Sequence, residues 1–168
     1  MHDLNIINID RCQKGRTMKM RAAILDDDET MREMLSSFLK ERGYEVIICP
    51  EPGICTMYTI NDCNCSFGYS CTDVIITDLE MPKMTGLEYL DHQRKHGCKV
   101  SHIAVMSGGW TEKDFEYAQK KGYKLLIKPF KLQELAEWLI ECENRTALHR
   151  ELLKIHNILK ENKNCKTL

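Results

Sequence analysis

Short apolar runs alternate along this chain with longer amphipathic stretches. Five of the runs are rich in aliphatic and β-branched residues, which predicts strands over residues 20–25, 44–48, 73–77, 101–106 and 124–127. Between most of them, apolar residues spaced three and four positions apart predict helices with one buried face. The order of strand, helix, strand, irregular segment and then alternating strands and helices favours an α/β fold with a parallel sheet.

Local signals mark the ends of the predicted helices. The first helix, over residues 29–42, is ended by Gly43, and the second, over residues 86–96, is ended by Gly97. Thr111 caps a short third helix, because a carboxylate follows it three residues later as in a variant of the capping box.

The chain from Lys131 onward contains neither Pro nor Gly, which predicts one helix running to about residue 161. At ~1.5 Å per residue it would be roughly 45 Å long, more than a domain needs to cover its sheet. Its first apolar face is formed by Leu132, Leu135 and Leu139. A second stripe follows in a shifted phase, and its members are Leu148, Leu152, Ile155 and Leu159. This stripe could form a homodimer seam, a partner-binding helix or a frayed tail.

Composition narrows the class of protein. The chain has 168 residues, is 43% apolar and carries a net charge of −1, which suits one packed core and gives no overall attraction to nucleic acid or membrane. Its apolar runs are far shorter than a membrane helix, and residues 1–17 lack the apolar core of a signal peptide. We expect a cytoplasmic protein with a disordered leader (1–17), one domain (18–142) and a helical extension (143–168).

Polar side chains directly follow four of the predicted strands. Asp26 and Asp27 follow the first strand, Asp78 the third, Ser107 the fourth and Lys128 the fifth. Because the carboxyl ends of parallel strands meet at one edge of a sheet, we expect these residues to converge there. Three carboxylates, a hydroxyl and a lysine are typical of a site for a divalent cation and a phosphoryl group.

These motifs, in this order, resemble the receiver domain of bacterial response regulators, of the stand-alone, CheY-like type. The resemblance covers about residues 20–142 and is closest in Asp-Leu-Glu-Met-Pro-Lys-Met-Thr-Gly at 78–86 and Lys-Pro-Phe at 128–130. It implies a doubly wound, five-stranded parallel sheet with strand order 2-1-3-4-5. It also implies a cis peptide bond between Lys128 and Pro129.

The resemblance assigns a role to each polar residue of the site. Asp78 is implied to be the phosphoacceptor, with Ser107 donating a hydrogen bond to one phosphoryl oxygen and Lys128 giving a positive charge to another. The implied Mg²⁺ ligands are oxygens of Asp26 (mainly through a water), Asp27, Asp78 and Glu80 (backbone carbonyl). Such a protein is a phosphoacceptor switch that assists its own phosphorylation and dephosphorylation, and not an enzyme.

The resemblance also implies partners. A sensor histidine kinase or a phosphotransfer protein would supply the phosphoryl group, which shifts the population of two pre-existing conformations. Output would then pass by protein–protein contact to a downstream target that the sequence does not identify, with no nucleic-acid or membrane partner. A rival reading from another class is a degenerate receiver used only as a binding scaffold, although all the required residue types are present.

The chain departs from the family pattern at the aromatic residue that normally lies three positions before the lysine. That position is Leu125, and Tyr123 lies two residues further back. The output face is therefore expected to switch in a different way. Gly108 and Gly109 leave the phosphoryl group open to water, so we expect a short-lived phosphoprotein.

Residues 26–30, Asp-Asp-Asp-Glu-Thr, also fit the Asp-x-Asp-x-Thr loop of the haloacid dehalogenase-like phosphatases. In that family Asp26 would be the nucleophile and Asp28 the general acid. The family also needs an acidic pair after its lysine to hold magnesium, and no Asp occurs between residues 129 and 168. The phosphatase alternative leaves the motif at Asp78 unexplained.

Five of the nine cysteines fall within residues 49–72, where the family has its second helix. Their spacing, C-x5-C-x7-C-x-C-x5-C, matches none of the usual zinc pairs, and the segment contains no Lys or Arg. The candidates for a structural zinc site are Cys55, Cys63, Cys65 and Cys71. A redox-sensitive disulfide and simple packing as small apolar side chains are the alternatives.

Overall fold

The centre of the molecule is a five-stranded parallel sheet. The structure, a computed structural model, describes residues 19–52, 63, 65 and 70–164. Its strands are β1 (Arg21–Leu25), β2 (Glu45–Cys49), β3 (Val74–Asp78), β4 (His102–Ser107) and β5 (Lys124–Ile127), arranged in the order β2-β1-β3-β4-β5. The helices are α1 (Glu29–Glu41), α2 (Gly86–Lys95), α3 (Glu112–Lys120) and α4 (Leu132–Asn164). The expected α/β fold, strand order and long last helix are confirmed.

Three strands begin and end one residue later than the apolar runs predict. In β3 and β4 this shift makes Asp78 and Ser107 the last residues of their strands. Backbone pairing extends to both positions, since Asp78 is in register with Met106 and Ser107 with Ile127. A polar side chain does not prevent its own backbone from joining the hydrogen-bond ladder of the sheet. The strands therefore extend one residue beyond the apolar runs.

The sheet is buried on both faces, as a parallel sheet requires. Neighbouring residues of a strand point to opposite faces, so Ala23 and Leu25 of β1 join one core cluster while Ala22 and Ile24 join another. The first cluster includes residues of α2 and α3, and the second includes residues of α1 and α4. The predicted covering face of the last helix is confirmed by the complete burial of Leu135 and Leu139 and the partial burial of Leu132.

The helix ends follow the local signals in the sequence. The Asp28 carboxylate accepts hydrogen bonds from the backbone N–H groups of Thr30 and Met31, which caps α1. Thr85 and Glu88 form a reciprocal capping box at the start of α2. The stop at Gly43 is explained by its φ of 88°, a left-handed conformation that side chains rarely adopt.

Helix α4 contacts the domain along much of its length. Glu143 accepts hydrogen bonds from Arg42 and from the Tyr44 hydroxyl, on the side of α1 and β2. Further along, Arg150 Nη2 lies 2.9 Å from Asp73 Oδ1 at the amino end of β3. None of the helices in the described part of the chain is long and apolar enough to cross a bilayer.

The second apolar stripe of α4 lies on the surface. Its members are between 49% and 59% exposed, and they are Leu148, Leu152, Ile155 and Leu159. Its suggested roles as a homodimer seam or a partner-binding helix stay predictions. The expected leader, residues 1–17, and much of the cysteine-rich segment, including Cys55, lie outside the described residues.

Asp73 provides a test of how much α4 contributes to stability. Its carboxylate is 8% exposed and accepts hydrogen bonds from the Arg150 guanidinium and the Arg21 backbone N–H. Because Asp73→Ala removes the acceptor of both bonds, we expect it to lower the free energy of unfolding by about 1–3 kcal/mol in urea denaturation. The control is Glu141→Ala, which removes an exposed pair with Arg145 and should cost under about 1 kcal/mol. Equal losses in the two variants would contradict the prediction.

Candidate functional site

Polar residues from three strands converge at the carboxyl edge of the sheet, as the sequence predicts. Lys128 Nζ lies 3.0 Å from Asp26 Oδ2 and 3.1 Å from Asp78 Oδ1. The carboxylates of Asp26, Asp27 and Asp78 bring oxygen atoms within 4.8 Å of one another. The parallel sheet thus joins residues that are far apart in the sequence into one charged cluster.

Asp26 is completely buried, and both of its carboxylate oxygens are occupied. Oδ1 accepts a hydrogen bond of 2.8 Å from the Asp28 N–H, and Oδ2 contacts Lys128. The Arg32 guanidinium holds the same loop by donating to the backbone carbonyls of Asp26 and Asp27. Asp27 itself is exposed, so solvent reaches its side chain freely.

Asp78 is 7% exposed, and its hydrogen bonds are unevenly shared between its two oxygens. Oδ1 accepts from the Leu79 N–H at 2.9 Å and contacts Lys128. Within the described part of the chain no hydrogen bond reaches Oδ2. One oxygen of Asp78 is therefore anchored by hydrogen bonds, and within the described part of the chain the other is not.

Burial and charge act in opposite directions on these groups. Burial raises the pKa of the Asp78 carboxyl above its ordinary value, Lys128 opposes this shift, and the nearby Asp26 charge adds to it. For Lys128, burial lowers the pKa of the ammonium, but the carboxylates of Asp26 and Asp78 outweigh burial and the net shift is upward. The cluster therefore holds its lysine charged while making the charge on Asp78 costly.

The loop after Asp78 folds back tightly onto it. A Cβ on Gly86 would overlap the carbonyl oxygen of Asp78, so this position of the motif requires glycine. The Gly86 N–H donates to the Leu79 carbonyl at 2.9 Å, which closes the loop. Lys83 adopts a φ of 70° within it and pairs with Glu51 at 2.9 Å. The position of Asp78 is thus fixed by backbone contacts on both sides.

Ser107 and Lys128 are also linked through their backbones. The Lys128 N–H donates to the Ser107 carbonyl at 2.8 Å, and the peptide bond from Lys128 to Pro129 is cis, as the resemblance implies. The Ser107 side chain is completely buried, and its Oγ accepts a hydrogen bond of 2.9 Å from the Gly109 N–H. Gly108 and Gly109 are exposed beside it.

The structure places Glu80 and Leu125 near these elements. Glu80 is exposed, and its carboxylate faces Gly109, since a Cβ built there would lie 3.3 Å from Glu80 Oε1. The use of the Glu80 backbone carbonyl as a ligand stays a prediction. Leu125 packs against the core cluster on the α2 and α3 side, and Tyr123 is buried in that same cluster.

The donor set fits a magnesium ion. Mg²⁺ prefers oxygen ligands, and the clustered carboxylates of Asp26, Asp27 and Asp78 supply them. When ionised, these three groups carry three negative charges against the one positive charge of Lys128. A divalent cation would neutralise the surplus.

The alternative phosphatase role for the loop at 26–30 lacks support. It requires Asp28 as a general acid, but the Asp28 carboxylate is engaged as the cap of α1 through Thr30 and Met31. It also requires Asp26 as the nucleophile, and both oxygens of Asp26 are occupied.

A second cluster of metal-binding side chains lies at the other end of the sheet. The thiols of Cys63, Cys65, Cys71 and Cys98 all lie within 4.8 Å of one another. Three of these cysteines were predicted candidates, whereas Cys98 was missed. Cys98 lies outside the cysteine-rich segment, and the local spacing of that segment carries no signal that the turn after α2 joins it.

Comparisons with known proteins agree with this geometry. The family model of the response regulator receiver domain matches residues 22–140. Chemotaxis protein CheY1 of Helicobacter pylori is 30% identical over 122 residues, covering 71% of this chain and 94% of that protein. A solved N-terminal domain of an uncharacterized protein from Wolinella succinogenes has 31% identity and a TM-score of 0.62, covering 80% of this chain and 98% of that one.

Other relatives are much longer than the region they share with this chain. Regulatory protein AtoC of Escherichia coli is 26% identical over 139 residues, which is 83% of this chain but 28% of AtoC. The match to the phosphodiesterase regA of Dictyostelium discoideum covers 66% of this chain and 14% of regA. This protein belongs to the response regulator receiver domain family of two-component signalling.

Proposed function

We propose that this protein accepts a phosphoryl group on Asp78 from a sensor histidine kinase or a phosphotransfer protein, and that this modification switches a protein-binding surface. The observation that carries the proposal is the position of Lys128 Nζ, 3.0 Å from Asp26 and 3.1 Å from Asp78. Phosphoryl transfer depends on charge placed where the transferring oxygens will lie. The lysine is held at that place by two buried carboxylates.

The reaction forms an acyl phosphate. Asp78 Oδ2, the oxygen without a hydrogen bond in the described part of the chain, attacks the phosphorus of a phosphohistidine. The new O–P bond forms as the N–P bond breaks, and the electron pair of that bond returns to the imidazole, which takes up a proton. Oδ1 remains bound to the Leu79 N–H and so keeps the carboxylate oriented during the transfer.

Asp27, Asp78 and the Glu80 carbonyl are the groups that would hold Mg²⁺ directly. Asp26 would act through a water, because the Asp28 N–H and Lys128 already occupy its two oxygens. When bound, Mg²⁺ supplies the positive charge that reduces repulsion between an anionic donor and the carboxylates. The exposed Asp27 side chain lies on the solvent side of the cluster, where the donor must approach.

Ser107 is placed to sense the modification. Its Oγ accepts from the Gly109 N–H and keeps its own proton for donation to a phosphoryl oxygen. Because this hydrogen bond ties the hydroxyl to the loop backbone, a shift of Ser107 would move the next residue of the loop, Trp110. The Trp110 ring packs edge-on against Phe115 of α3, with 6.0 Å between ring centroids. This route couples the site to α3 without an aromatic residue at Leu125.

Phosphorylation with a small donor tests whether Asp78 is the acceptor. It also distinguishes a working receiver domain from a degenerate receiver that acts only as a binding scaffold. Incubation with acetyl phosphate and Mg²⁺ should add one phosphoryl group, measured by intact mass. Asp78→Asn should abolish the addition because it removes the nucleophile. Asp28→Asn should keep it, since asparagine caps a helix as well as aspartate does.

Two outcomes of this experiment would count against the proposal. An unmodified wild-type protein would favour the scaffold, and a labelled Asp78→Asn variant would place the acceptor elsewhere. After removal of the donor we expect the label to decay, because Gly108 and Gly109 leave the site open to water. A label that persists for many hours would contradict that expectation.

Lys128→Ala should slow phosphorylation by about 10²-fold, because it removes a preorganised positive charge from the site. Ser107→Ala should have a smaller effect, since the lysine remains. The rate is read from Trp110 fluorescence in a Trp138→Phe background. The matched control is Lys124→Ala in β5, the strand that Lys128 directly follows; the Lys124 side chain pairs with Glu134 at 2.8 Å and not with the cluster. A similar loss of phosphorylation rate in Lys124→Ala would contradict a specific role for Lys128 in the reaction.

The raised pKa of Asp78 makes stability depend on pH. The folded protein holds the proton of the Asp78 carboxyl more tightly than the unfolded chain, in which the pKa of this group is 3.8. The folded state is therefore favoured at low pH, and stability is lost as the pH rises from 3.8 through the folded pKa. In metal-free buffer Asp78→Asn should unfold at higher urea concentration than wild type at pH 7, and the difference should disappear below about pH 3.8.

The control for this comparison is Glu116→Gln, a substitution of an exposed carboxylate on α3, which should change stability by less than about 0.5 kcal/mol. Added Mg²⁺ should stabilise the wild-type protein more than Asp78→Asn, because it neutralises the same charge. A wild-type protein that is more stable than Asp78→Asn at pH 7 without metal would show that Lys128 overcompensates for burial.

A further inference from the structure

Four cysteine thiols meet at the amino end of the sheet, opposite Asp78. Cys71 lies three residues before β3, and Cys98 lies four residues before β4, while Cys63 and Cys65 come from the chain between β2 and β3. At ~3.3 Å per residue, the two ends of β3 are roughly 13 Å apart. The thiol cluster is therefore separate from the charged cluster and is not explained by phosphoryl chemistry.

The spacing of the sulfur atoms suits one metal ion. Zinc binds thiolates at about 2.3 Å in a tetrahedron, which places neighbouring sulfurs roughly 3.8 Å apart. Cys63 Sγ and Cys71 Sγ are 3.8 Å apart, and all four sulfurs lie within 4.8 Å of one another. Cys63 Sγ and Cys65 Sγ are 3.0 Å apart, which is far longer than a disulfide bond of about 2.05 Å. A small rotation of one side chain would bring this pair to the tetrahedral spacing.

A backbone N–H group donates to one of the sulfurs. The Cys71 N–H donates to Cys65 Sγ at 3.2 Å. Such a donor orients a metal ligand and stabilises the thiolate form that a metal requires. Packing as small apolar side chains does not by itself explain why cysteines from separate parts of the chain place four sulfurs within 4.8 Å of one another.

The surrounding chain holds the ligands in place. The Arg94 guanidinium donates to the carbonyls of Cys98 at 2.8 Å and Val100 at 2.6 Å, which fixes the turn after α2. Its positive charge also lies beside a centre that would be negative with four thiolates. On the other side, the Cys63 N–H donates to the His96 carbonyl at 2.8 Å. The cluster thus joins the chain between β2 and β3 to the turn between α2 and β4.

We propose that Cys63, Cys65, Cys71 and Cys98 bind one zinc ion as a structural tetrathiolate site. Each thiol releases its proton to solvent on binding, and no electron is transferred. Because protein ligands fill all four positions, the metal has no open position for a substrate and acts as a cross-link. The metal would join Cys63 and Cys65 to the stretches of chain that lead into β3 and β4. This proposal is independent of phosphorylation at Asp78.

The test measures metal content in the full chain after growth in zinc-supplemented medium and purification under reducing conditions. We expect about one zinc per chain by elemental analysis. Cys98→Ser and Cys71→Ser should lose the metal. The control is Cys142→Ser, because Cys142 is buried in α4 on the other face of the sheet and should leave the zinc content unchanged.

A second measurement covers variants that fail to fold. Wild-type protein stripped by a chelator and refilled with Co²⁺ should show intense sulfur-to-cobalt charge-transfer bands, and X-ray absorption at the zinc edge should report four sulfur neighbours. Removal of zinc should lower the Tm, and its return should restore the Tm.

Three outcomes would overturn the proposal. The first is wild-type protein without stoichiometric metal, including protein that has a disulfide among these cysteines instead. The second is iron in place of zinc, and the third is a Cys98→Ser variant that keeps its full zinc content. Loss of phosphorylation at Asp78 with zinc retained would leave this proposal intact, so the two sites can fail separately.

Discussion

The burial of two carboxylates around one lysine is the constraint on which the site depends. Asp26 directly follows β1 and Asp78 ends the neighbouring strand β3, and their carboxylates lie 3.0 and 3.1 Å from Lys128 Nζ. Removing charges from water is costly unless they are paired, so the fold must keep all three residues in register. Three contacts keep these residues in position. They are the close approach of Gly86 to Asp78, the hydrogen bond from the Asp28 N–H to Asp26, and the backbone hydrogen bond from Lys128 to Ser107. The remaining surplus of negative charge makes the edge attractive to a cation.

Most of this edge could be predicted from the sequence because it follows from one rule. Strands that run in parallel end at the same edge, so polar residues after apolar runs must converge, and Asp26, Asp78 and Lys128 do. The shift of β3 and β4 by one residue was not predictable, since backbone pairing ignores side-chain polarity. The joining of Cys98 to the thiol cluster depends on where the turn after α2 returns, and the contact between Arg150 and Asp73 depends on the direction of α4. Neither of these two contacts produces a local pattern in the sequence.

The two ends of the sheet hold different kinds of chemistry. Hard carboxylate oxygens gather at the carboxyl edge, and soft thiols gather at the amino end. A hard divalent ion such as Mg²⁺ prefers the first set, whereas zinc prefers the second. This separation would let Mg²⁺ at the carboxyl edge and zinc at the amino end bind to one small domain without competing for ligands.

The ion pair between Arg150 of α4 and Asp73 at the amino end of β3 affects where the protein can be truncated. The family match stops at residue 140, and a fragment cut there would keep every residue of the charged edge. It would nevertheless lose Glu143 and Arg150, and with them the acceptor for Arg42 and Tyr44 and the cation beside Asp73. A fragment that ends at the family boundary would therefore be less stable than the longer chain. Its behaviour in solution would not represent that of the longer chain.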